Sequence, residues 1–321
     1  MGGDDNRRMN PISALEGVAR LDDWGVIRAS GTEAASFLHG QLTSDVVHLD
    51  ASQARLAGYC SAKGRMLASF VVWKTGDDEV LLACSADLLA TTLKRLRMFV
   101  LRAKCVLSDA SAELPLYGLV GAPAAAWLAD AAPGPVWSKR ERDGLCAIRL
   151  PGGAGQARYL CAGGVAPPLP AMTPEAWRWL EVRSGVARIE QATVEQFVPQ
   201  MLNYELLGGV DFQKGCYPGQ EIVARSQYRG SVKRRSFLFE TEATASAGEE
   251  VFHAGDPTQP AGKVVNAAAQ PAGHPAGSLM LVELKLAALG GGSLHLGSPQ
   301  GAALQRVELP YALPLETMPA G

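Results

Sequence analysis

From Ser236 onward the chain reads only as short strands. The runs 236–241, 249–253, 261–267, 278–284, 293–296 and 304–309 are separated by Gly and Pro turns. Runs this brief are too short for helices, and their spacing predicts a small all-β barrel or sandwich over 233–321. Nothing before Ser236 has that regularity. The chain therefore divides into an all-β end and a longer stretch of another character.

The longer stretch alternates hairpins with helices. Gly17 to Leu21 and Trp24 to Ala29 read as two strands joined at Asp22-Asp23. Ser30 to Glu33 then open a helix whose apolar stripe is Ala34, Phe37 and Leu38. Residues 54–60 and 65–74 predict a hairpin turning at Lys63-Gly64, and Glu79 to Cys84 a further strand. Ala86 to Val100 is an amphipathic helix with Leu88, Leu89, Leu93 and Leu96 on one side, and Lys104 to Leu107 returns as a strand. An echo follows. Gly31, Ala34, Ala35, Phe37 and Leu38 recur at a constant offset as Gly121, Ala124, Ala125, Trp127 and Leu128, which predicts a duplicated strand–turn–helix unit. Strands near 144–150 and 157–162 and a helix from Pro174 to about Val186 continue the parallel. The predicted class is α+β with antiparallel or mixed sheets. The expected division is 12–48 with 110–205 as one α+β unit, 49–109 as a second, 206–232 as a linking segment and 233–321 as the barrel.

Composition removes several alternatives. The net charge of −2 gives no overall field steering the protein toward nucleic acid or an acidic membrane. The six cysteines, Cys60, Cys84, Cys105, Cys146, Cys161 and Cys216, include no C-x-x-C pair, and the five histidines are scattered. No intrinsic metal site is expected from such spacing. Five of the cysteines lie in apolar, strand-like stretches and read as small packed hydrophobes. Met1 to Pro11 lacks the apolar centre of a secretory leader, and runs such as Leu67 to Trp73 are too short to cross a bilayer. A cytoplasmic protein with reduced thiols and no membrane partner is expected.

Chemistry concentrates in one turn, Lys214-Gly215-Cys216-Tyr217-Pro218-Gly219-Gln220-Glu221. Two glycines and a proline force a tight, irregular path. Ile222-Val223-Ala224-Arg225 then reads as the start of a helix or strand. A helix N-terminus and Lys214 both favour thiolate over thiol, so Cys216 is the candidate reactive thiol. The plainer reading makes Cys216 only a small residue in a turn. From Arg225 to Arg235 the chain holds Arg225, Arg229, Lys233, Arg234 and Arg235 and no acid. That run reads first as a solvated linker and second as a cradle for an anionic ligand or an RNA backbone.

The Lys214–Glu221 turn, with Phe197-Val198-Pro199-Gln200-Met201-Leu202-Asn203 before it and Phe37-Leu38-His39-Gly40-Gln41-Leu42-Thr43-Ser44-Asp45 near the start, resembles the YgfZ family, which is related to the glycine-cleavage T-protein. The resemblance covers nearly the whole chain. It implies a three-domain, aminomethyltransferase-like ring with tetrahydrofolate or a derivative at its centre. It also implies a part in making or repairing iron–sulfur clusters, with enzymes that thiomethylate tRNA as clients. On that resemblance Cys216 is the reactive thiol and a transient cluster or sulfur ligand, and Lys214 tunes it. Gly215, Tyr217, Gly219, Gln220, Glu221 and Arg225 shape the loop, and Gln200, Asn203 and Tyr159 are the candidate folate contacts.

Two departures from T-protein bear on the reaction. Its first hairpin carries an aspartate, where this chain has Ala62-Lys63-Gly64-Arg65-Met66-Leu67-Ala68. Its pterin-holding glutamate falls near Gly155-Gln156-Ala157-Arg158-Tyr159-Leu160, again without an acid. Aminomethyl transfer needs a positioned acid or base. A folate-dependent one-carbon transferase using Glu221 or Asp211 is therefore the second reading, and a non-catalytic interaction scaffold the third.

Overall fold

A computed structural model of the chain describes residues 15–142, 144–228 and 232–314. Met1 to Pro11, the start of the first expected unit, Arg229 and the last residues of the barrel range lie outside them. The described residues form three antiparallel sheets with five α-helices.

The first sheet has five strands in the order β1 (Gly17–Arg20), β7 (Leu116–Val120), β10 (Gln156–Ala162), β9 (Leu145–Gly153) and β8 (Lys139–Arg142). The second runs β3 (Ala54–Cys60), β4 (Met66–Gly76), β5 (Glu79–Ser85), β2 (Trp24–Ser30) and β6 (Val106–Asp109). Helices α1 (Ala34–His39) and α2 (Ala86–Val100) bury their leucines over the second sheet. Helices α3 (Gly121–Leu128) and α4 (Pro174–Arg183) pack on the first. Strand β2 leading into α1 and β7 leading into α3 are the two copies of the sequence echo.

Two expectations are corrected. The strands flanking Asp22-Asp23 do not pair with each other: β1 bonds β7, and β2 bonds β5 and β6. Consequently β2 and α1 join the 49–109 unit, and only β1 of the 12–48 range joins the 110–205 strands. The reason is that both edges of β2 are taken, one by β5 over seven residues, from Trp24 opposite Ser85 to Ser30 opposite Glu79, and the other by β6 over four, so no edge is left for β1. Helix α4 ends at Arg183, because Gly185 takes φ +69 and breaks the helical path.

The third sheet runs β15 (Leu294–Leu296), β12 (Glu250–His253), β13 (Asp256–Ala269), β14 (Ser278–Lys285), β11 (Arg234–Thr241) and β16 (Gln305–Val307). Its edges are joined by one strap. Leu304 N bonds Leu294 O and Leu296 N bonds Ala302 O, both at 2.9 Å, and the next residues pair as β16 with β11. The sheet is thereby curled shut.

One apolar core runs through all three sheets. Leu160 and Trp177, then Leu56 and Trp73, then Leu238 and Leu281 are all buried in it. At the seam the buried Arg188 pairs with Glu181 at 3.0 Å, reaches Asp23, and lies 4.8 Å over the Trp24 ring. Breaking one partner of such a buried pair strands a charge, at a cost of about 3–5 kcal/mol. Among the described residues no helix is long and apolar enough to cross a membrane.

Candidate functional site

The turn carrying Cys216 lies where the linking segment crosses the second sheet. Asp211 N bonds Thr43 O at 2.9 Å, and Thr43 Oγ1 donates to Gly209 O at 2.6 Å while accepting Gly58 N at 2.7 Å. Asp211 Oδ1 then accepts Gln213 N at 2.8 Å and Lys214 N at 3.2 Å, closing a local turn. Tyr217 is buried beneath, and burial pushes its phenol well above the ordinary value. Helix α5 (Gln220–Tyr228) starts immediately after Gly219.

Lys214 is anchored on main-chain carbonyls at the end of α1 and just beyond it. Its Nζ donates to His39 O and, at 2.7 Å, to Leu42 O, and stands 4.9 Å over the Tyr217 ring. The His39 carbonyl sits at the C-terminal end of α1, where helix carbonyls lack intrahelical partners, and Leu42 lies in the turn beyond it, bridged to Tyr59. Burial lowers the Lys214 ammonium to about 8, against the pull of Asp45, Asp211 and Cys216. Lys214 thus staples the turn to α1, and among the described residues it makes no hydrogen bond to the thiol. The start of α5 also differs from expectation. Gln220 N and Ile222 N turn to the carbonyls of Tyr217 and Gly219, at 3.2 and 3.1 Å.

Cys216 is exposed, and the other five cysteines are buried and free. Burial raises the Cys60, Cys84 and Cys146 thiols to about 12, and raises Cys105 and Cys161 as well. Beside the turn stand two residues that sequence reasoning missed. His39 Nδ1 lies 3.0 Å from Asp45 Oδ1, and Asp45 Oδ2 lies 2.7 Å from His48 Nδ1. Apart from its chain neighbours, a Cβ on Gly215 would meet His39 Nε2, at 3.7 Å. Burial and then Lys214 lower the His39 pKa, outweighing Asp45. A neutral ring donating from Nδ1 to Asp45 presents its Nε2 lone pair to the Gly215–Cys216 turn. Both lie in the Phe37–Asp45 segment that shares the family resemblance, but their i, i+6 spacing has no periodic signature that would pair them.

The three candidate folate contacts are not brought to one place. Gln200 is buried and its Nε2 donates to Val223 O at 2.7 Å, holding α5. Asn203 sits at φ +60, donates from Nδ2 to Ser236 O at 2.9 Å and Tyr311 Oη at 3.1 Å, and accepts from Arg235. Tyr159 is buried in β10 and its hydroxyl accepts from Arg149 at 2.7 Å. All three are used in packing the chain. The basic run is half spent too. Arg234 forks onto Glu283, and Arg235 pairs with Glu205 at 2.6 Å, leaving Arg225 and Lys233 exposed. Gln220 is half-buried and Glu221 exposed at the head of α5.

An open cleft of about 900 Å³ lies on the other side of the linking segment. Its walls are the start of β3, the loop before β8, residues 208–213 and Tyr228. Trp137, Phe212 and Tyr228 supply aromatic faces, the last two packed edge-to-face at 5.9 Å. Arg55 and Arg140 supply cations, and Asp211 an acid. Arg55 spends one N–H on Asp45 O at 2.8 Å, and Arg140 is exposed. Residues 211–213 therefore line the cleft, while Asp211 and Lys214 fix the Cys216 turn. Among the described residues no group of three or more His, Cys, Asp or Glu is placed to hold a metal ion.

No family model matches the chain. Among curated proteins, the tRNA-modifying protein YgfZ of Edwardsiella ictaluri (strain 93-146) is 34% identical over 235 residues, which is 68% of this chain and 69% of that protein. The Klebsiella pneumoniae (strain 342) protein of the same name is 35% identical over 254 residues, 72% of this chain and 74% of that one. Among solved structures, the glycine cleavage system aminomethyltransferase T of Bartonella henselae matches with a TM-score of 0.72 at 17% identity, covering 94% of this chain and 90% of that one. At that identity the likeness is one of fold: mixed α+β, mostly sheet, ending in a curled sheet.

Proposed function

Because the chain belongs to the YgfZ family, we propose that it is a folate-binding accessory protein supporting iron–sulfur enzymes, of the kind that thiomethylate tRNA, with Cys216 as its working thiol. The relatives' name places them in tRNA modification. The observation that carries the reading is the shared segment 211–214, which couples the aromatic cleft to the only exposed cysteine among the described residues.

The residues present fit a reduced folate. A flat pterin and benzoyl group suits a cleft faced by Trp137, Phe212 and Tyr228. Arg55 and Arg140 suit the carboxylates of a glutamate tail, and Asp211 suits an amino edge. A bound folate would supply a one-carbon carrier. What the chain itself supplies is the cleft, the anchoring of its wall through Thr43 and Asp211, and an accessible thiol beside His39. A soft-metal cargo or a sulfur carried between proteins would be taken by that thiol as thiolate. The transferase reading is weaker, because the hairpin turn Ser61–Arg65 holds no carboxylate.

The test is cellular. Cluster-enzyme activity and thiomethylated tRNA are compared in cells lacking the protein, restored with the native chain, or restored with Cys216→Ser. The native chain should restore both, and the serine variant neither. Full restoration by Cys216→Ser would remove the thiol from the function.

A further inference from the structure

Exposed cations lie outside the 225–235 run as well as at its Arg225 and Lys233. Between Lys94 and Lys104 the chain carries Lys94, Arg95, Arg97, Arg102 and Lys104 and no acid. Lys94, Arg102 and Lys104 are exposed, and among the described residues their side chains form no ion pair. Arg97 bonds Leu107 O through Nε and Nη2, at 3.0 and 2.7 Å, and keeps its charge at the surface. Glu33, on the adjoining turn, spends Oε2 on Lys104 N at 2.6 Å.

Large apolar side chains are exposed among these cations. Met98, Phe99, Leu101 and Val106 all face solvent, Leu101 at 86% and Val106 at 68%. Lys94 and Met98 follow one another at helical spacing on the side of α2 opposite its buried Leu89, Leu93 and Leu96, and Leu101 is the first residue past the helix. Leu101 also takes φ +45, a conformation that costs a branched residue about 1–3 kcal/mol. Phe99 lies 6.0 Å from the Arg95 guanidinium.

We propose that the last turns of α2 and the loop into β6 form a docking surface for single-stranded or looped RNA. Lys94, Arg102 and Lys104 neutralise phosphates, and Phe99 offers its ring to a base. The charge complements any polyanion; the exposed aromatic among the cations favours RNA over an acidic protein, since every base has a face to stack. Such local fields act over about 10 Å at ordinary salt, so the protein's slight net negative charge does not oppose them. This goes beyond the folate reading and stands whether or not the cleft takes a folate.

The experiment is fluorescence anisotropy of the full chain with labelled unmodified tRNA and a labelled single-stranded RNA, at about 50 and about 200 mM salt. Native binding should weaken steeply with salt. The Lys94→Glu, Arg102→Glu, Lys104→Glu triple variant should lose about tenfold or more and flatten the log–log salt slope by about two. Phe99→Ala should lose about fivefold with the slope unchanged. Because charge reversal can disturb the fold, the single Lys104→Gln and Arg102→Gln variants are run beside it and should each lose about threefold. An unchanged melting temperature and tetrahydrofolate titration show the rest intact. Native binding by the triple and single variants alike, or a larger loss from Arg225→Glu with Lys233→Glu, overturns the proposal. So does a native chain that ignores RNA, which leaves the surface to an acidic protein.

Discussion

Gly219 of the motif turn and Gly64 of the β3–β4 hairpin meet backbone to backbone. A Cβ on Gly219 would stand 2.6 Å from both the N and the Cα of Gly64 and 2.4 Å from Ser61 O. Gly219 also takes φ +79. The turn bearing Cys216 is thus seated on the hairpin through main-chain atoms, which cannot rotate away from an intruding methyl.

A glycine series follows. Gly219→Ala meets both a positive φ and overpacking, so it should cost about 3 kcal/mol or more. Gly208, at φ +74 with nothing within 4 Å, should cost about 1 kcal/mol on the same change. Gly215→Ala meets only an ordinary contact with His39 and should stay within about 0.5 kcal/mol. Urea denaturation of the three variants gives the order.

Thiol accessibility sets the second expectation. Thiolate is the reactive form, and the five buried thiols are held protonated by their surroundings. Brief iodoacetamide treatment at neutral pH should label Cys216 first by mass spectrometry. Lys214→Met should loosen the turn and change that labelling rate by severalfold, since it removes the bonds to His39 and Leu42.

Asp45 supplies a pH dependence. Burial opposes its ionisation, but hydrogen bonds from the His48 N–H and ring, with the charges of His48 and His39, lower it from 3.8 to about 2. A carboxyl depressed on folding stabilises the fold above its unfolded value and loses that contribution as pH falls through the folded one. Asp45→Asn should therefore cost about 1 kcal/mol at neutral pH, where the hydrogen bonds from His48 remain but His39 is uncharged. The gap to the native chain should narrow below pH 3.8 and close near 2. Denaturant midpoints across that range measure it.

Folate binding separates the cleft from the packed amides. Arg140→Glu with Arg55→Gln should raise the Kd for polyglutamyl tetrahydrofolate about tenfold by calorimetry. Asn203→Ala should leave that Kd within about twofold, yet cost about 3 kcal/mol of stability, because it empties three hydrogen bonds and places alanine at φ +60. No heat with any tetrahydrofolate would remove the cleft from the reading.

The sequence was most legible where one period repeats. Leu88, Leu89, Leu93 and Leu96 mark α2 from Ala86 to Val100, the span the structure gives it. Turn-bounded runs likewise located the strands of the curled sheet. What stayed hidden depends on contacts between distant residues. Gln200 and Asn203 look free for a ligand, but Val223, Ser236 and Tyr311 take their amides. Strand β1 leads toward β2 in sequence, yet bonds a partner about a hundred residues later. The cleft is assembled from β3, the loop before β8, residues 208–213 and Tyr228, and no single window of sequence contains it.

The strap at 302–307 bears on how the chain is made. It comes late in the sequence and joins β15 to β11. Shortly after it, Tyr311 accepts from Asn203 and donates to Gly185 O at 2.8 Å. During synthesis β11, Asn203 and Gly185 emerge well before the residues that complete them, and β15 only just before. Until the strap arrives, one edge of β11 is unpaired and Asn203 lacks the Tyr311 hydroxyl, so the order of synthesis leaves that edge open to pairing with another strand.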